Sequence, residues 1–150
     1  MKRFRFPLEA LRTLRRRRRE EAERAFAEAR ARRDRQALEL VSLHEERRQA
    51  EEDWHRILPG KGPFPVAEAL ARRAWVGTLT RRAAACAKVL ENLTREAEVR
   101  RLALLEASRH EKVVDRLRER RQEAWQEAAG REEQAVSDEA GLSLFRRVGA

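Results

Sequence analysis

A chain of 150 residues has the length of one ordinary domain, yet 41% of it is charged, only 5% is aromatic and it has no tyrosine. Much of its apolar 41% is alanine, which excludes a thick globular core and leaves a narrow seam between helices as the way to bury apolar surface. The formal net charge of +9 favours acidic partners, and the single cysteine, Cys86, excludes an intrachain disulfide and points to a reducing compartment.

The charge is uneven along the chain. Residues 1–19 hold nine basic side chains against Glu9 alone, whereas residues 111–140 hold six basic and nine acidic ones. The basic beginning is not followed by an apolar run, so it does not read as a secretory signal. No stretch approaches the roughly 18 apolar residues of a membrane span. The expectation is a soluble, intracellular protein.

Phe4, Phe6 and Leu8 open the chain, with Pro7 where a first helical turn tolerates it. Leu8, Leu11 and Leu14 begin an apolar face, and five consecutive arginines, Arg15 to Arg19, follow. Successive residues step about 100° around a helix, so at least one arginine must lay its stem across the seam and push its head outward. From Ala22 a track with spacings of four and three runs through Phe26, Ala29, Arg33, Gln36, Leu40, Leu43, Arg47, Ala50 and Trp54 to Ile57. Eight of these eleven positions are apolar, the signature of a coiled-coil seam, and this periodicity argues against disorder.

The stretch from Leu58 to Pro65 gathers three of the four prolines and two of the six glycines. Proline lacks the N–H a helix needs and glycine loses the most entropy in one, so the helix must stop and reverse here. A second track then runs through Val76, Leu79, Ala83, Cys86, Leu90, Leu93, Ala97, Arg100, Leu104, Ala107, Glu111, Val114, Arg118, Arg121, Trp125 and Ala128. Gly77 and Thr78 loosen its start, Gly130 weakens it by about 1 kcal/mol relative to Ala, and Gly141 is a plausible stop before a frayed tail, 141–150.

The expected fold is all-α: one hairpin domain over 1–150, with helices over about 8–57 and 66–140 forming an antiparallel coiled coil, the second longer. At 1.5 Å per residue these would be roughly 75 and 110 Å long. Folding near residue 61 would set Leu8 against about Asp115. The last 20 or so residues of the second helix, Trp125 among them, would then project without an intrachain partner.

Nothing in this sequence reads as an active site. His44, His55 and His110 are scattered with no metal-ligand spacing, and Cys86 lies on the seam track as a small buried hydrophobe. There is no phosphate loop or nucleophile elbow, and a two-helix hairpin offers no pocket. No enzyme activity, metal or cofactor is expected. The Arg15–Arg19 run reads as an electrostatic footprint for an acidic surface, a lipid or nucleic acid, or simply as a solvated face. No aromatics interleave with it, which favours the protein-facing or solvated reading. Trp75, Val76 and Leu79, just past the reversal, read equally as seam residues or as anchors for a partner groove. Trp125 leans towards partner binding.

With these features together, the chain resembles the FliJ family of flagellar type III export proteins. The resemblance rests on the opening Phe4-Arg5-Phe6-Pro7-Leu8-Glu9-Ala10-Leu11, the mid-chain reversal, and Trp75-Val76 with Leu79. It also rests on the stretch from Leu117 to Ala140, where Arg131-Glu132-Glu133-Gln134 leads into Asp138-Glu139-Ala140. The resemblance implies a stalk like the central coiled coil of rotary ATPases, working in the cytoplasm against the inner membrane at the flagellar base. It would bind the hexameric export ATPase FliI through the paired helix ends, the export-gate protein FlhA early in the second helix, and export chaperones. Carried over by position, Trp75, Val76 and Leu79 would meet the gate. Arg15, Arg16, Arg19, Trp125, Arg131, Asp138 and Glu139 would meet the ATPase ring. Two other readings stay open: a basic coiled coil associated with nucleic acid, and a purely structural coiled coil.

Overall fold

In a computed structural model of the chain, residues 3–57 and 65–148 are described, with side chains as far as Ser143. They form two helices, α1 (Glu9–Ile57) and α2 (Val66–Val148), and no strand among the described residues. The fold is an antiparallel helical hairpin whose second helix is the longer, 83 residues against 49.

Local chemistry sets the helix ends. The Glu9 N–H donates to the Phe6 carbonyl at 3.2 Å and the Arg12 N–H to that of Leu8 at 2.9 Å, so the turn through Pro7 launches α1. Glu9 sits in the first turn of α1 and His55 and Arg56 in its last, each favoured by the helix dipole. At the head of α2, the Ala69 N–H donates to the Pro65 carbonyl at 2.9 Å. Except for Pro65, the reversal expected over 58–65 lies outside the described residues. Along the exposed faces, arginines pair with acids three or four residues away, as Arg48 does with Glu45 and with Glu52. Such pairs support a helix by a few tenths of a kcal/mol each.

The chain divides into two compact units, one of residues 22–104 and one joining residues 1–21 to 105–150. In the first, Arg32 pairs with Glu96 at 2.8 Å, the Gln36 amide donates to Cys86 Sγ at 2.9 Å, and Asp53 meets Arg72 at 3.6 Å. Numbers rise along α1 as they fall along α2, so the helices run antiparallel. Every one of the eleven track positions from Ala22 to Ile57 is buried or half-buried. Ala29, Ala69, Leu79, Ala83, Cys86 and Ala97 are the buried residues of this seam. Four of these six are alanines, which let two backbones approach closely and leave little volume to fill.

In the second unit, Glu9 faces Arg118 at 3.7 Å, Arg12 bonds Asp115 at 2.6 Å and Arg19 bonds Glu111 at 3.0 Å. Phe6, Val114 and Ala129 are its buried residues.

Three expectations need correction. Gly141 does not end the helix: α2 continues to Val148, and no glycine among the described residues takes a positive φ, so the left-handed cap that would stop it is absent. Leu14 is exposed rather than part of the buried face, because the seam turns through Leu11, Arg15 and Arg19 instead. On α2, Arg100, Arg121 and Ala128 are exposed; Trp125 is half-buried as the track has it, but Gln122 and Ala129 take the places of Arg121 and Ala128. A straight helix drifts about 20° per heptad against a 3.5-residue repeat, and the track has slipped by one residue there.

Candidate partner-binding surfaces

Near the head of α2, the three residues singled out from sequence do different things. Leu79 has 0% exposure and is a seam residue, the largest fully buried side chain among those described. Val76 is half-buried. Trp75 is 46% exposed, and the Arg82 guanidinium, two turns on, lies 5.6 Å from its ring centroid. That cation–π contact holds the indole against the helix while leaving it in solvent. Trp75 and Arg72 line a shallow recess with Glu46, Gln49, Ala50 and Asp53, whose chemistry is mixed apolar and acidic. Arg72 is fixed there by Glu68 at 2.8 Å as well as by Asp53.

Two apolar residues of this region were not singled out. Val66 and Leu70 are 57% and 61% exposed. They stand four residues apart and so share one helical face. The signal was present in the apolar stretch from Val66 to Ala74, but its periodicity could not tell an outward face from the seam.

The arginine run in the other unit divides by geometry. Arg15 and Arg19 are half-buried across the seam. Arg15 Nη1 lies 3.1 Å from His110 Nδ1, and Arg19 Nε donates to Glu111 at 3.0 Å. A guanidinium can only donate, so in this contact the acceptor's part falls to His110 Nδ1. Arg16 is exposed and reaches Glu111 at 4.0 Å. Arg17 and Arg18 are exposed and have no ion pair among the described residues. Arg12 completes the cluster. Its guanidinium is held further into its charged form, first by the hydrogen bond to Asp115 and then by that to Glu9.

Trp125 does not project alone. Phe4 packs against it, ring centroids 6.0 Å apart and planes tilted by 54°. Residues 3–6, ahead of α1, are not helical, and through Phe4 they reach as far along α2 as Trp125. The bare part of α2 therefore starts later than expected. From Gly130 to Ser143 every side chain is exposed. Arg131 turns back to Glu127 at 4.0 Å, Asp138 accepts from the Gln134 amide at 3.0 Å, and Glu139 is exposed. These contacts are all within α2.

Among the described residues, no group of three or more His, Cys, Asp or Glu side chains could hold a metal ion, and no helix is long and apolar enough to cross a membrane. The model of one protein family, the flagellar FliJ protein, matches residues 4–150. The chain belongs to the FliJ family. No curated protein and no solved structure matches it significantly. Family membership gives this FliJ-family chain a structural role related to flagellar export. The match covers Phe4, Phe6 and the bare end of α2 alike.

Proposed function

We propose that this FliJ-family chain is a non-enzymatic coiled-coil stalk of the flagellar type III export apparatus. In this reading it binds the hexameric export ATPase FliI, promotes its assembly and activity, and links it to the export gate FlhA and to export chaperones. It works in the cytoplasm, peripherally at the inner membrane. The observation that carries the reading is the bare end of α2, Gly130 to Ser143, a helical turn after turn with no intrachain cover. A polar helix of this kind is stable when something else lies along it.

The ring contact then falls to Arg131, Asp138 and Glu139 on that stretch and to the outward Arg16. Arg15 and Arg19 contribute by fixing the register of the paired ends. The gate contact falls to Trp75 with Val76 beside it, while Leu79 holds that part of α2 in place from within the seam. Chaperones would share the apolar face of Val66 and Leu70. The engagement of Arg15 and Arg19 inside the hairpin weighs against a nucleic-acid role, because two of the five arginines are already committed to His110 and Glu111.

The test is ATP hydrolysis by the cognate FliI with the whole chain and with a chain ending at Ala129. Stimulation by the first and its loss with the second is the expected result. Equal stimulation by both, or none by either, refutes the reading.

A further inference from the structure

We propose that residues 3–6 form an autoinhibitory strap, in which Phe4 covers the face of Trp125 that an apolar segment of the ring partner takes when it docks. This rests on the reading of the bare α2 end as the ring-binding element, and concerns how that element is controlled.

Four observations converge. First, Glu9, the first residue of α1, already faces Arg118, so α1 supplies nothing opposite Trp125 or Ala129. Trp125 is nonetheless half-buried, and the ring packed against it is that of Phe4, which lies before Glu9. Second, that segment alternates inward and outward. Phe4 is half-buried and Phe6 buried, while Arg3 and Arg5 are exposed. Third, its backbone is barely tied. Among the described residues its one backbone hydrogen bond beyond regular structure is the Phe6 carbonyl accepting from the Glu9 N–H at 3.2 Å. The strap is held by two aromatic side chains, which another apolar segment can replace without breaking a ladder of backbone bonds. Fourth, the covered stretch ends at Ala129 and the bare stretch begins at Gly130. A partner lying along the bare end and growing towards Trp125 meets Phe4 first.

The site is therefore bipartite: an open polar half that any docking partner finds, and an apolar half that opens once the strap leaves. The strap's outward arginines, Arg3 and Arg5, leave with it and become available to an acidic surface nearby.

The experiment uses the full chain with Trp54→Phe and Trp75→Phe, leaving Trp125 as the only indole, with and without Phe4→Ala and Phe6→Ala. Acrylamide quenching of Trp125 reads the strap, and co-sedimentation with the export ATPase reads the inhibition. The expected result is a quenching constant at least doubled in the strap variant, a red-shifted emission, and ATPase binding several-fold tighter. Unchanged quenching overturns the strap. Increased quenching with equal or weaker ATPase binding overturns the inhibition, making the phenylalanines a fixed part of the seam and leaving the proposed function intact. No binding by either chain defeats the proposed function, and the inhibitory role with it. A Phe4→Leu, Phe6→Leu chain, which keeps apolar bulk, checks folding: it is expected to fall between the two.

Discussion

At the scale of single residues, burial decides what a side chain is for more sharply than its type does. Leu79 and Leu38 are both leucines on a charged helical hairpin, one with 0% and the other with 71% exposure. Leu79→Ala leaves a hole in a seam that has no spare volume to collapse into, and is expected to cost about 2–4 kcal/mol. Leu38→Ala should stay within about 0.5 kcal/mol. Urea unfolding of the two variants checks this, and near-equal midpoints would show that the seam does not hold Leu79 as described. Glu45 is the residue with the clearest pH signature. The hydrogen bond from Arg48 first, and that from Gln49 second, lower its carboxyl from 4.5 to about 2. A lowered folded-state value means that the contact supports α1 above the ordinary carboxylate range and is lost as pH falls from about 4.5 towards 2. A carboxyl carbon titration of Glu45 by NMR should show this low midpoint, and Arg48→Ala should return it to the ordinary range.

At the scale of elements, the two helices differ in how easily the sequence announces them. The four–three track of α1 is legible residue by residue, since each of its eleven positions from Ala22 to Ile57 lies in or beside the seam. The α2 track is legible as far as Ala97 and again from Leu104 to Arg118, then slips from Arg121 and Ala128 to Gln122 and Ala129. The cause is the partner. Beyond Arg118 the opposing element is a non-helical strap, and a rule derived from two helices has nothing to say about it. The strap itself was written in Arg3-Phe4-Arg5-Phe6, but four residues of alternation are too few to distinguish a non-helical run from the start of a helix. The glycines make a second test. An added methyl at Gly130 meets nothing within 4 Å, and at Gly77 it meets only the tip of Arg81 at 3.7 Å. Gly130→Ala and Gly77→Ala should each stabilise the fold by about 0.5–1 kcal/mol, seen as a rise in melting temperature. A loss at either position would mean that the helix there is not the relaxed one described.

At the scale of the whole molecule, the hairpin was legible because breakers cluster once, between Leu58 and Pro65, in a chain otherwise rich in helix formers. The candidate surfaces were less so. Sequence marks Trp75 and Trp125 alike, but burial sets them apart: one is held out by Arg82, the other is covered by Phe4. Ending the chain at Ala129 removes a stretch whose described side chains, 130 to 143, are all exposed, so the thermal midpoint should move by only a few degrees while partner binding is lost. A large fall in stability would mean that the bare end is part of the folded core.

The alanine-lined seam has one more implication. Small side chains grip weakly along their length, because each alanine buries little surface against the opposite helix. Position along this seam is marked instead by charged contacts particular to one register, those of Arg32 with Glu96 and of Asp53 with Arg72. These charged contacts act as index marks rather than glue. Salt, which screens half-exposed charges and leaves apolar contact intact, should therefore blur where one helix sits against the other before it parts them. A spin-label distance between α1 and α2 would broaden with ionic strength while helicity stays constant.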